Sequence, residues 1–174
     1  MSIHQLQARA AQQDRARRLL ARKSHATPVN YQSVETRELL CLDAFRNGSP
    51  THSQWNELAW CRNMLFVGAN HRIMEIRKLG NGADKEELEQ MRAVVGLCKK
   101  ARDSMVAIRD REQAGQPLSL TDDEYQVIAG LIATSAQFWP MRPAGLYRAC
   151  AGHVDALTDR FVVPKSAKNE RGSK

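Results

Sequence analysis

The sequence has no uninterrupted apolar stretch near the roughly eighteen residues that mark a membrane-spanning helix. Residues Met1 to Ser24 lack the apolar core of a secretory signal. Glycine and proline are scarce, at 10 and 6 of 174 residues, which excludes collagen-like and low-complexity chains. No close cysteine pair is present. Cys41, Cys61, Cys98 and Cys150 lie 20, 37 and 52 residues apart, so the turn-borne ligand pair of a zinc site is missing. Each cysteine sits in an apolar, helix-like context, as in Leu39-Leu40-Cys41-Leu42, and reads as a small core residue. With no export signal, a reducing cytoplasm is the expected compartment. A Gly-rich phosphate loop, G-x-S-x-G and H-E-x-x-H are all absent, and so is sustained two-residue alternation, which disfavours a sheet.

What is present is charge at the ends and helical periodicity between them. The net charge is +7. Residues 1–28 carry six basic groups (Arg9, Arg15, Arg17, Arg18, Arg22 and Lys23) against Asp14 alone. The last stretch carries Lys165, Lys168, Arg171 and Lys174 against Glu170. The middle is nearly neutral. This divides the chain into a basic helical arm over 1–28, a bundle domain over 29–161 and a basic flexible tail over 162–174. Basic ends suit electrostatic binding of nucleic acid phosphates, and equally suit solvated tails.

Residues 3–23 favour a helix, but their apolar positions (Ile3, Leu6, Ala10, Leu19, Leu20) form a poor docking face. Leu39, Leu40, Leu42 and Phe45 predict a helix over about 34–47, ended by Asn47-Gly48-Ser49-Pro50. Thr51 or Ser53 then caps a helix in which Trp55, Leu58, Ala59, Arg62, Leu65 and Phe66 recur at helical spacing. Gly68-Ala69-Asn70 either carries it on towards Leu79 or kinks it. Asp84 caps the longest element, about 84–114. Its seam of Leu88, Met91, Val95, Cys98, Ala101, Met105 and Ile108 is nearly heptad and also suits a homodimer through 88–108. Thr121-Asp122-Asp123-Glu124 is a capping box opening a helix to Trp139. Pro143 suits the first turn of a last helix that buries Leu146, Tyr147, Cys150, Val154, Leu157 and Phe161 before Pro164. The fold expected is an all-α bundle of four or five helices.

Two regions echo each other. Leu40 to Arg46 leads through Gly48-Ser49-Pro50 to a polar cap, Trp55 and Leu58-Ala59. Met105 to Arg109 leads through Gly115-Gln116-Pro117 to Thr121, Tyr125 and Ile128-Ala129. The echo suggests two pseudo-repeated helical hairpins. The stretch Glu38 to Gly48, followed by Trp55-Asn56-Glu57-Leu58-Ala59 and by Gly115 to Ala136, resembles small helical proteins of bacterial phages and integrated mobile elements. That resemblance spans about 35–155. It implies a mobile-element context and supplies no activity and no catalytic residues.

Catalytic candidates are few, and the reading leans to a non-enzyme with no cofactor and no metal. His71 and Glu75 share a helix face but lack a third ligand and a nucleophile. Asp122, Asp123 and Glu124 are explained by capping. His153 and Asp155 point apart on a helix. Arg148 and His153 have the Arg-x₄-His spacing of a ribonuclease-like bundle, in which arginine stabilises phosphate and histidine moves the proton. Trp55 and Trp139 lie on core stripes, and Trp60 lies partly off one. The leading expectation is an accessory protein that binds DNA or RNA through Arg15, Arg17, Arg18, Arg22 and Lys23, aided by Lys165, Lys168 and Arg171. The alternatives are a helical module that inhibits or adapts a host protein, and the ribonuclease-like bundle.

Overall fold

The structure is a computed structural model that describes residues 31–80, 84–117 and 119–161, with side chains described up to residue 156 of the last helix. Among the described residues five helices run in order: α1 (Gln32–Arg46), α2 (His52–Lys78), α3 (Lys85–Gln113), α4 (Asp122–Phe138) and α5 (Ala144–Phe161), with a 3₁₀ turn over Trp139–Met141 between the last two. No strand occurs among the described residues, and no described helix is long and apolar enough to cross a membrane. The predicted helix over 3–23 and the C-terminal tail lie outside the described residues, as do the side chains of Leu157 and Phe161.

Local chemistry sets the helix ends. Thr51 and Thr121 both form capping boxes. Thr51 N–H donates to Gln54 Oε1 at 2.7 Å, and Thr121 N–H to Glu124 Oε2 at 2.9 Å, while each hydroxyl accepts from the backbone three residues on. Asp84 accepts from Glu87 N–H at 3.0 Å to start α3. The two Gly-x-Pro turns are built alike. Gly48 and Gly115 adopt φ of 70° and 72°, a conformation that disfavours any residue with a Cβ. In each turn the next amide reaches back five residues, Ser49 to the Ala44 carbonyl and Gln116 to that of Arg111. The echo in the sequence is therefore an echo in turn geometry, α1–α2 against α3–α4, with the second loop three residues longer before its cap.

α2 is the central element and touches each of the other four helices. It runs unbroken through Gly68-Ala69-Asn70. Gly68 is required there by packing: an added Cβ would lie 2.7 Å from Trp139 Cη2 and 2.9 Å from Phe138 Cε1. Trp139 is fully buried and stacks edge-on against both Phe138 and Tyr147, with centroids 4.9 Å apart in each case. Tyr147 also meets Tyr31 and Trp60, and so fastens α5 to the start of α1 and to α2. α5 begins at Ala144, so Pro143 stands just before the first turn rather than inside it. Its carbonyl accepts from Leu146 N–H at 2.9 Å.

Each successive pair among the first four helices is clasped by an arginine–glutamate pair. Arg37 meets Glu57 at 2.5 Å, Arg72 holds Glu87 through two bonds of 2.7 and 2.6 Å, and Arg111 holds Glu124 through two of 2.7 and 2.6 Å. The α3 seam is used within the chain: Met91, Cys98, Ala101, Met105 and Ile108 are buried in the core. On α1 the expected stripe is displaced. Leu39 and Leu40 are 45% and 64% exposed, whereas Tyr31, Glu38, Cys41, Leu42 and Phe45 are buried. Offsets from Glu38 of minus seven, three, four and seven residues put these five on one face, and Leu39 and Leu40 fall about 100° and 200° away from Glu38. Gly68→Ala should destabilise the bundle by about 1–3 kcal/mol through overpacking against Trp139 and lower Tm by several degrees. An unchanged melting curve would mean that this close approach does not constrain the fold.

Candidate functional site

The most unusual chemistry in the molecule is buried between α1, α2 and α4. Glu38 is fully buried. Its Oε1 accepts the Tyr31 hydroxyl at 2.6 Å, and its Oε2 has no hydrogen-bond partner. The Cys61 thiol, also fully buried, donates to Ser135 Oγ at 3.5 Å beside it. Burial pushes the Glu38 carboxyl up to about 7 against the relief supplied by Tyr31, and the negative Glu57 adds to the rise while Arg37 opposes it. Burial likewise pushes the Tyr31 phenol and the Cys61 thiol far up, so neither is a nucleophile at neutral pH. With all four side chains out of solvent, the cluster links the stability of the fold to pH through Glu38.

The linkage has a definite sign. Below the ordinary carboxylate range Glu38 is protonated in the folded and unfolded chains alike. As pH rises from about 4.5 to about 7 the unfolded chain ionises first, and the folded state loses on the order of 3 kcal/mol relative to its acid-side value. Glu38→Gln keeps an acceptor for Tyr31 and should flatten stability across that window, leaving the variant more stable than the parent above pH 7. Denaturant titrations at several pH values measure this, and parallel pH profiles for the two proteins would refute it.

None of the sequence candidates assembles into a catalytic centre. Arg148 and His153 are both exposed on α5, and five-residue spacing turns their side chains about 140° apart around the axis. His71 Nδ1 lies 3.5 Å from Glu75 Oε1 on an exposed face. Both border a cleft of about 410 Å³ between α2 and the start of α5, whose cations are already matched. Arg72 is held by Glu87 and Glu75, and Arg142 reaches Glu87 at 3.4 Å while lying over the Phe138 ring. Asp122 and Asp123 are exposed at the α4 start. Glu124 is buried against Arg111, whose bonds, with those of Thr121, outweigh burial and hold its carboxyl below the usual range. No group of three metal-ligating side chains occurs among the described residues. All four cysteines are free and buried. Trp139 is core, Trp55 and Trp60 are half-buried, and the Trp60 indole N–H donates to Asp155 Oδ1 at 3.3 Å.

A second groove, of about 200 Å³, runs between α2 and α3 and is lined by Trp55, Arg62, Asn63, Arg102, Met105 and Arg109 among others. Reading the sequence for periodicity found Arg62 on the α2 stripe but not its three-arginine setting, because Arg102 and Arg109 come from another helix. The arm and tail residues Arg15, Arg17, Arg18, Arg22, Lys23, Lys165, Lys168 and Arg171 lie outside the described residues. Searches of protein-family models, of curated proteins and of solved structures each returned no match.

Proposed function

We propose that the chain is a non-enzymatic accessory protein, of the mobile-element kind its sequence resembles, that binds nucleic acid electrostatically through its basic ends. The observation that carries this reading is the segregation of charge. The bundle compensates itself through Arg37–Glu57, Arg72–Glu87, Arg111–Glu124 and the exposed pairs Arg92–Glu89 and Arg109–Asp110. The surplus sits in residues 1–28 and 162–174. Such charge binds phosphates with a steep salt dependence and little base specificity. A second reading, a module that docks on a host protein, is favoured by the adjacent exposed Leu39 and Leu40 on α1.

The test is affinity for random duplex DNA and single-stranded RNA across a salt series. It compares the full chain with a full-length variant in which Arg15, Arg17, Arg18, Arg22 and Lys23 are glutamine. The native chain should lose affinity steeply as salt rises, and the variant should bind at least about tenfold more weakly at low salt with a shallower slope. Absence of binding by the native chain at about 50 mM salt would dismiss the reading and leave the protein-docking surface as the one to pursue.

A further inference from the structure

Four arginines among the described residues are half-buried: Arg62, Arg72, Arg111 and Arg142. Three of them reach a glutamate. Arg62 does not. Its Nε donates to the Cys98 carbonyl at 3.0 Å, its Nη1 to Asn63 Oδ1 at 2.7 Å, and its guanidinium lies over the Phe66 ring. These partners fix its position without cancelling its charge. Burial and the like charge of Arg102 both work against its protonated form, and the Cys98 thiol and the nearby Asp103 only partly offset them. Arg102 itself is exposed and makes no ion pair among the described residues. Among the described residues Arg109 meets only its neighbour Asp110, in an exposed pair of the kind that contributes little.

The register of the two helices turns these side chains into a track. Arg62 bonds to Cys98 and Arg72 to Glu87, so α2 and α3 are antiparallel with Trp55 level with Met105. At about 1.5 Å per residue, Arg102 lies about 6 Å along the groove from Arg62, Trp55 about 10 Å and Arg109 about 16 Å. Cations thus flank an aromatic step, and Trp55 packs against Phe45 with ring centroids 5.8 Å apart. Alternation of cations with an aromatic platform is how single strands are held: phosphates on the arginines and a base on the ring. A duplex keeps its bases stacked on each other and cannot offer one to Trp55 without flipping it out.

We propose that the α2/α3 groove is a binding site for a short stretch of single-stranded nucleic acid, with phosphates on Arg62, Arg102 and Arg109 and one base stacked on Trp55. The inference rests on the nucleic-acid reading above and adds to it a site on the folded body and a preference for single strands.

The experiment uses full-length protein and two labelled probes, an oligothymidylate of about eight nucleotides and a duplex of about twenty base pairs. Arg102→Gln, at an exposed position, should weaken oligothymidylate binding about fivefold at low salt and reduce the salt slope by about 0.7. Trp55→Leu should weaken it about tenfold with the slope unchanged. Neither should alter duplex binding, and the arm-neutralised variant should weaken on both probes while still preferring the single strand. If both groove variants bind oligothymidylate like the parent while the arm variant loses it, the groove inference fails and the arm reading stands. Equal losses on duplex and single strand would reduce the groove to a general cationic patch and overturn the proposal. If the native chain binds neither probe, both readings fall together.

Discussion

The constraint on which the rest of the structure depends is the burial of α2 against all four other helices. A helix in that position buries a wide face, here Leu58, Cys61, Met64, Leu65, Ala69, Ile73 and Ile76. It must also admit the largest side chain of the core, and it does so by having no Cβ at Gly68 where Trp139 crosses. The polar groups that α2 does carry are consequently costly unless matched. Glu57 and Arg72 are matched by arms from α1 and α3. The two clasps on α2, Arg37–Glu57 and Arg72–Glu87, thus follow from its central position, whereas Arg111–Glu124 joins α3 to α4.

The two hairpins share a local build. In each hairpin a left-handed glycine ends the first helix, a threonine capping box begins the second, and an aromatic residue follows four positions later: Trp55 in one, Tyr125 in the other. Phe45 packs on Trp55, and Arg46 crosses from the same helix to lie over the Tyr125 ring, so the two aromatic positions are tied to one helix end. α5 stands outside this arrangement. It is attached through α2, by the Tyr147 ring and by the Asp155 bond to Trp60.

The parts of this fold that were legible in the sequence are those specified by near neighbours. Asp84 and the breaker after Gln113 mark the α3 limits to within a residue, and Thr121 with Glu124 marks the start of α4. Gly48 and Gly115 announce their turns by chemistry alone. Legibility ends where a residue's environment is built by distant elements. On α1, hydrophobicity by itself favours Leu39 and Leu40 as core, yet α2 and α4 close over the face that holds Glu38, because Tyr31, Cys41, Leu42 and Phe45 share it. A glutamate seven residues after a tyrosine, on that stripe, was the available sign. Capping explained Glu124 correctly and incompletely, since Arg111 reaches it across a loop. The three-arginine groove had no local signature, being assembled from two helices in antiparallel register.

Glu38 and Arg62 show how one problem, charge in a place poor in water, has two different solutions. A carboxyl escapes by keeping its proton, and the Glu38 carboxyl does so up to about pH 7. A guanidinium has no such escape in any ordinary pH range, because it does not give up its proton. It must find anions, and where the protein supplies them, as at Arg72 and Arg111, the charge is spent on holding helices together. At Arg62 the fold supplies a carbonyl, an amide oxygen and an aromatic face, which orient the charge without an ion pair among the described residues, beside the exposed Arg102. A cation desolvated by its own fold and only partly offset by the nearby Asp103 gains more from an incoming phosphate than an exposed lysine would, because less water has to be displaced. In the proposed site, an anion from outside would therefore complete an electrostatic arrangement that the described residues leave open.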